Sequence, residues 1–362
     1  MTKRLLPRRS LLGLRATVAF LALVACGCAS VGPKTIPRDQ FDYGGALGTS
    51  LREQLLMNIV GMRYVDAPVF VNVSSVINQY TLEGEVALGA GANTALTGQN
   101  TLTLGGGGRW SDRPTITYTP VAGQKFARSL MTPLPPESLF ALIQAGWAPE
   151  GLFRLTVRSI NGIENEWASP ANRRQADPRF IELMEVWKRL RDARAIGLRK
   201  EEQGKPATIL VYRTKVPVSD DVRRDLDFFY RSLALDPDVG EYHLGYGLVP
   251  ATGREIMVLT SSLLEIMNEL AWRIDVPEEH VQQERTLPTF HSDAKSLSPL
   301  IRVQQAPERP EDAYAAVPNR GYWFYIDDKD MLSKRTFAIL QLMLSLTDSG
   351  DAARGPVVTL GN

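Results

Sequence analysis

The sequence predicts an α+β protein with mixed and antiparallel sheets, packed amphipathic helices and a glycine-rich β-ribbon at about residues 80–119, behind an N-terminal signal peptide. Three observations predict it. Residues 69–119 alternate apolar and polar side chains at period two between glycines, the pattern of strands and tight turns. Leu47, Leu51, Leu55, Ile59 and Met62, and again Leu263, Ile266, Met267, Leu270 and Ile274, recur at three- and four-residue spacings, the pattern of helices with one buried face. A strand-like run precedes a helix-like run at 255–274 and again at 322–346, without a residue-level repeat.

The chain opens with Lys3, Arg4, Arg8 and Arg9 and no acid before residue 10, and after Arg15 an apolar run extends from Ala16 to Ala25. A membrane-spanning helix needs roughly 20 residues. This shorter run fits the core of a signal peptide. Leu23-Val24-Ala25-Cys26 resembles, position by position, the lipobox of bacterial lipoproteins. The resemblance implies cleavage of residues 1–25 and lipidation of Cys26 with a thioether-linked diacylglycerol and an acylated amine, palmitate being the usual acyl chain. Cys28 is the alternative site, but Ala25-Cys26-Gly27 lacks the leucine three residues before it. Arg8-Arg9-Ser10-Leu11-Leu12 resembles the core of a twin-arginine signal, so Arg8 and Arg9 are export-signal residues by that route or by the general one. No Asp follows the acylated cysteine. In lipoproteins resembling those of enteric bacteria such an Asp retains the protein in the inner membrane. The expectation is therefore a bacterial outer-membrane location, lipid-anchored and facing the periplasm.

Composition narrows the function classes. Loss of residues 1–25 takes the balance from 41 basic against 40 acidic groups to 36 against 40, a net charge of −4. Such a body has no global field for nucleic acid. Both cysteines lie at the signal junction, which leaves the folded body without disulfide or thiolate chemistry.

In chain order, residues 26–40, with Gly32, Pro33 and Pro37, read as a lipidated tether. An N-terminal α+β region follows over 41–170. Its first helix carries the Leu47–Met62 stripe, with Ser50 and Glu53 spaced as a capping box. A strand is expected over 69–80, then the ribbon, whose flexible tip lies around Gly91–Gln99. The ribbon is expected to pack one face on the body; the alternative is a membrane-entering hairpin that closes a barrel with other chains. A helix over 137–147 and a strand over 152–160 complete the region. The polar, proline-containing stretch 167–178 marks the boundary to a C-terminal α+β region, 171–362. There a helix is expected over 179–203, ending in Lys188, Arg189, Arg191, Arg194, Arg199 and Lys200, basic residues that suit a solvated face or acidic lipid headgroups. Then come a strand at 209–212, a helix capped by Ser219, and strands 242–249 and 255–260 paired about the Pro250–Gly253 turn. A helix with the Ser262/Glu265 capping box follows, then a polar loop at 283–296. The chain ends with a strand at 322–326, a helix at 333–346 and a strand at 356–360.

Catalytic patterns are weak. His243, His280 and His291 are far apart, and His280 with Glu284 gives at best one helical ligand pair where a metal needs three or four. Ser292-Asp293-Ala294-Lys295 fits Ser-x-x-Lys, but the Ser-Asp-Asn and Lys-Thr-Gly partners of that chemistry are missing. Gly89–Thr94 is no phosphate loop, because no Gly-Lys-Ser/Thr follows. Asp327, Asp328 and Asp330 suit a helix start better than a cation. No catalytic, cofactor-binding or metal residue is assigned.

Arg38-Asp39-Gln40-Phe41-Asp42-Tyr43, Gln54–Val60, Arg320–Asp328 and Ser333–Ala338 together resemble an uncharacterised group of proteobacterial outer-membrane lipoproteins. The resemblance covers both ends of the mature body. It implies a location and no activity, and it carries over no functional residue. The expected role is a non-enzymatic, periplasm-facing scaffold or accessory subunit of an envelope assembly, with envelope protein partners and no cofactor. The alternatives are a subunit of an oligomeric outer-membrane export pore that inserts the 80–119 ribbon, and an envelope hydrolase or glycan-binding module using Trp323 and Tyr325.

Overall fold

The structure, a computed structural model, describes residues 36–77, 80–91, 101–112, 115–169, 173–199, 208–211, 219–290 and 299–347. Helix α1 (Ile36–Arg63) is the first element. It starts inside the stretch expected as tether, of which residues 36–40 are helical. Pro37 falls in the first turn, where a missing N–H breaks no helical bond. Gly44 and Gly45 cost about 1 kcal/mol each relative to Ala and do not end the helix. Ser50 and Glu53 are therefore mid-helix, not a cap. The C-terminus closes where Gly61 O accepts from Tyr64 N at 2.8 Å and Asp66 N at 3.0 Å, with Val65 left-handed (φ 67°).

Four strands follow: β1 (Phe70–Ile77), β2 (Tyr80–Gly91), β3 (Thr101–Asp112) and β4 (Thr115–Val121). β1 pairs with β4 and β2 with β3, as nested two-stranded sheets. The ribbon is thus longer than expected, and Thr115–Thr119 belongs to its β1–β4 half. Contacts divide the chain into two units, Met1–Gly48 with Asn72–Thr119, and Thr49–Val71 with Pro120–Asn362.

The second unit continues with α2 (Gln124–Met131), α3 (Pro136–Gln144), α4 (Pro149–Thr156), β5 (Val157–Ile160), β6 (Ile163–Glu164), β7 (Trp167–Ala168) and β8 (Arg173–Arg174). The strand expected over 152–160 is half helix: Pro149 pre-sets the first turn, and Thr156 Oγ1 donates to Leu152 O at 2.7 Å, one helical turn back. Then come α5 (Pro178–Asp192), β9 (Ile196–Arg199), β10 (Thr208–Val211), α6 (Asp220–Ser232), β11 (Glu241–Tyr246) and β12 (Glu255–Thr260). The helix expected to reach residue 203 stops at 192. Arg194 is left-handed (φ 55°), and Ala195 N donates to Leu190 O at 2.8 Å, a closure that turns the chain into β9.

A six-stranded sheet runs β6-β5-β12-β11-β10-β9. All its pairs are antiparallel except β11–β12, which is parallel with His243 opposite Glu255. The expected turn at 250–253 is therefore part of a return loop. Gly253 is needed there: a Cβ would lie 3.1 Å from Asp236 N, which donates to Gly253 O at 2.9 Å. The last elements are α7 (Leu263–Trp272), α8 (Glu278–Gln282), β13 (Gln304–Ala306), β14 (Ala313–Asn319), β15 (Tyr322–Asp327) and α9 (Met331–Thr347). A three-stranded antiparallel sheet runs β13-β15-β14. The α+β class holds, and both Ser219 and the Ser262/Glu265 box cap their helices. The strand expected at 356–360 lies outside the described residues.

The core is apolar and interlocked. Trp187 of α5 sits 5.2 Å from Phe140, 5.6 Å from Phe153 and 5.3 Å from Phe229, ring centre to ring centre. Ile256 and Val258 of β12 and Ile266, Met267 and Leu270 of α7 are fully buried. Each such side chain contributes about 2 kcal/mol by leaving water.

Candidate functional site

The ribbon is the candidate site. β2 and β3 are paired without a bulge from Tyr80 opposite Asp112 to Gly91 opposite Thr101. Directly opposed residues share a face, and the faces alternate. Leu82 with Trp110, Val86 with Gly106, Leu88 with Leu104 and Ala90 with Leu102 therefore fall on one face. Thr81 with Ser111, Glu83 with Arg109, Glu85 with Gly107 and Gly89 with Thr103 fall on the other. Every larger apolar position from Leu82 to Leu104 is on the first face; of the charged positions, Glu83, Glu85 and Arg109 are on the second and Asp112, opposite Tyr80, is at the end of the first. Alternation along β2 was legible in the sequence. That β3 matches it, face for face, follows only from the register.

The start of β1 is fixed by two side-chain amides of α1. Gln54 Nε2 donates to Val71 O at 2.8 Å and Gln54 Oε1 accepts from Val71 N at 3.1 Å. Asn58 Nδ2 donates to Val69 O at 2.8 Å and Asn58 Oδ1 accepts from Val69 N at 2.7 Å. Four residues apart on one helix face, the two amides stand in for a neighbouring strand. In the other half of the ribbon base, Thr115 to Pro120 of β4 are all exposed, including Tyr118 at 61%. A strand with one face packed on a body shows alternating burial.

Three buried polar clusters in the second unit escaped the sequence reading. Arg63, fully buried, donates to Ile274 O (3.2 Å), Thr286 Oγ1 (2.5 Å) and Leu287 O (2.6 Å), and its guanidinium lies 4.8 Å from the Trp272 ring centre. Beside it, Tyr64 Oη and His280 Nδ1 are hydrogen-bonded at 2.7 Å. Burial pushes the Tyr64 hydroxyl up to about 12, against the opposing Arg63, Arg320 and Arg285 charges. Burial first, and the Arg285 charge second, hold His280 below the usual imidazole value. Both groups are neutral at pH 7, so the pair is a neutral hydrogen bond. In the third cluster Arg273 reaches Glu269 at 2.7 Å and Glu166 at 3.5 Å, with all three side chains less than a tenth exposed. Burial pushes Glu269 up to about 7 in spite of Arg273. Burial opposes the Arg273 charge, but the two carboxylates outweigh it and raise its pKa. The one legible signal was Glu269 with Arg273, an i,i+4 charged pair on an otherwise apolar helix.

Cys26, Cys28, Arg8, Arg9, His291, Ser292 and Lys295 lie outside the described residues. His243 is exposed on β11. Glu284 lies beyond the end of α8 with φ 58°, so its spacing from His280 is not a helical pair. Asp330 Oδ1 accepts from Ser333 N at 3.1 Å and Asp328 pairs with Lys334 at 2.7 Å, so these acids start α9. Among the described residues no three His, Cys, Asp or Glu side chains gather as a metal site. Arg309 lies 5.4 Å over the Trp323 ring and 2.9 Å from Glu53, in the wall of a cavity of about 330 Å³. Tyr325 Oη donates to Gln304 at 2.9 Å. Of the basic residues expected at the end of that helix, Arg189 of α5 holds Asp225 at 2.7 Å and Arg199 of β9 holds Glu241 at 3.0 Å. An apolar cavity of about 500 Å³ lies between Phe140, Ile143, Trp187 and Ile209. Another of about 590 Å³ carries Glu150, Arg154 and Arg335 in its wall.

Compared with models of known protein families, with curated proteins and with solved structures, the chain matches none.

Proposed function

We propose that the chain is a lipoprotein of the bacterial outer membrane, exported on the Arg8–Arg9 signal, acylated at Cys26 and facing the periplasm. There it serves as a non-enzymatic scaffold or accessory subunit of an envelope assembly. Lipidation rests on the Leu23-Val24-Ala25-Cys26 sequence. The assembly role rests on the ribbon: two strands wide, segregated into an apolar and a polar face, and exposed over Thr115–Pro120. Such a surface is costly in water and is stabilised when a partner covers it. A second reading, a subunit of an oligomeric export pore, is favoured by one observation, the polar face that runs the length of β2 and β3.

Labelling with a palmitate analogue tests the anchor. Cys26→Ser is expected to abolish incorporation and leave an unprocessed precursor. Label that persists in Cys26→Ser and vanishes in Cys28→Ser moves the site to Cys28. Label that persists in both refutes the lipoprotein. Affinity purification from cross-linked, detergent-solubilised envelopes tests the assembly role, which fails if the lipidated chain is recovered alone as a monomer.

A further inference from the structure

We infer that the cavity between α4 and α9 is a binding site for a small amphiphilic anion, a carboxylate or phosphate monoester carried on an apolar ring. The site is separate from the ribbon and does not depend on the assembly reading. The cavity holds about 590 Å³, within the range of about 300–1,000 Å³ typical of small-molecule sites. The two helices that border it pack on each other, and each brings one arginine to its wall. Arg154 of α4 is half-buried and Arg335 of α9 is exposed, so one cation sits inside and the other at the rim. Glu150 is the one acid of the wall among the described residues, two cations against one acid. Arg335 has no hydrogen-bond or ion-pair partner among the described residues. Burial is the largest influence on Arg154 and acts against its charge, with Glu150 the first group to support it. An anion in the cavity offsets that burial. Guanidinium forks match carboxylate and phosphate oxygens two bonds at a time.

The rest of the wall suits an apolar ring. Leu332, Arg335, Thr336 and Ile339 lie on one stripe of α9, at helical spacing. The Thr336 hydroxyl is taken up by Leu300 O at 2.7 Å, which leaves Arg335 as the polar group of that stripe open to a ligand. From the α3–α4 joint, Trp147 contributes a half-buried indole, a surface on which a ring can stack. Glycine keeps the space open. Gly151 is the third residue of α4, although glycine is a poor helix former. No close packing requires it, because a Cβ there would meet nothing within 4 Å. What a side chain at Gly151 would occupy is the cavity whose wall it forms.

Calorimetric titration of the full-length chain in detergent tests the site, with naphthyl phosphate and naphthoate as probes and a micelle blank subtracted. At least one probe is expected to bind at a single site, and the tighter of the two names the anionic group. Naphthol and inorganic phosphate should each bind about 10-fold more weakly or worse, since each keeps half of the recognition. Arg335→Glu is expected to weaken binding about 10-fold or more, and Arg335→Lys to weaken it less, because lysine keeps the charge and loses the fork. Removing the opposing acid with Glu150→Gln should tighten binding. Gly151→Leu fills the space and should weaken binding about 10-fold or more while thermal melting stays at or above that of the wild type, leucine being the better helix former. Melting of the Arg335 variants should also match the wild type, which separates a lost site from a lost fold. The inference is overturned if neither probe binds saturably, or if naphthol or inorganic phosphate matches the better probe. It is equally overturned if Arg335→Glu and Gly151→Leu, folded by melting, bind that probe as the wild type does.

Discussion

Replacing Glu269 with Gln should flatten the dependence of stability on pH. The Glu269 carboxyl lies between Arg273, Glu166 and Arg154, and burial raises its pKa from 4.5 to about 7. A carboxyl with a raised folded pKa holds its proton more tightly folded than unfolded. Its contribution is full below the unfolded value and is lost as pH climbs through the folded one. At 1.36 kcal/mol per unit, the rise from 4.5 to about 7 amounts to about 3 kcal/mol lost between pH 4.5 and 8. Gln keeps the shape and an oxygen for Arg273 Nη2, now 2.7 Å from the carboxylate, and Glu166 still balances the Arg273 charge. Urea titrations at pH 5 and pH 8, read by tryptophan fluorescence, provide the measurement. The two proteins should be close at pH 5, and the variant should be the more stable at pH 8. Parallel curves for wild type and variant would show Glu269 already ionised at pH 5. The Arg273 attraction would then outweigh desolvation.

Two further outcomes follow from the buried polar contacts. Arg63→Met should cost about 3 kcal/mol or more, as expected when removal of one side leaves buried partners unmatched, because Leu287 O loses its 2.6 Å donor; thermal melting reads this directly. Asn58→Ala should cost about 2 kcal/mol by stripping Val69 N and O of their partners. Amide hydrogen exchange should quicken at Val69 while the Trp187 cluster stays protected.

Much of the fold was legible because period and capping are local properties. The Leu263–Ile274 stripe with Ser262 and Glu265, the Ser219 cap and the 322–346 strand and helix all appear where the spacing puts them. The misses came where a local signal was outvoted. Gly44, Gly45 and Pro37 are helix breakers in isolation, yet α1 continues through them, its later part held by the buried Leu55, Leu56, Ile59 and Val60. The α5 end was missed because Arg194, an ordinary helix former, adopts a left-handed turn. Strand direction at β11–β12 is a long-range choice, and no alternation pattern encodes it. The ribbon as an element was visible in the sequence. Its two matched faces were not, since they depend on which residue of β3 stands opposite which of β2.

The polar residues of α1 explain why this helix carries so much of the arrangement. Along one helix, Gln54 and Asn58 hold Val71 and Val69, Arg63 holds the 274–289 segment, and Tyr64 meets His280. An apolar stripe alone would let these segments slide, because hydrophobic contact is non-directional. Amide and guanidinium groups have fixed donor angles, and a slip of one residue would leave each of them without its partner. The energetic gain of such groups over well-packed apolar residues is small; what they contribute is one register rather than several. At Gln54 and Asn58 that register fixes the residue at which β1 begins. A strand shifted by one position there would exchange its two faces.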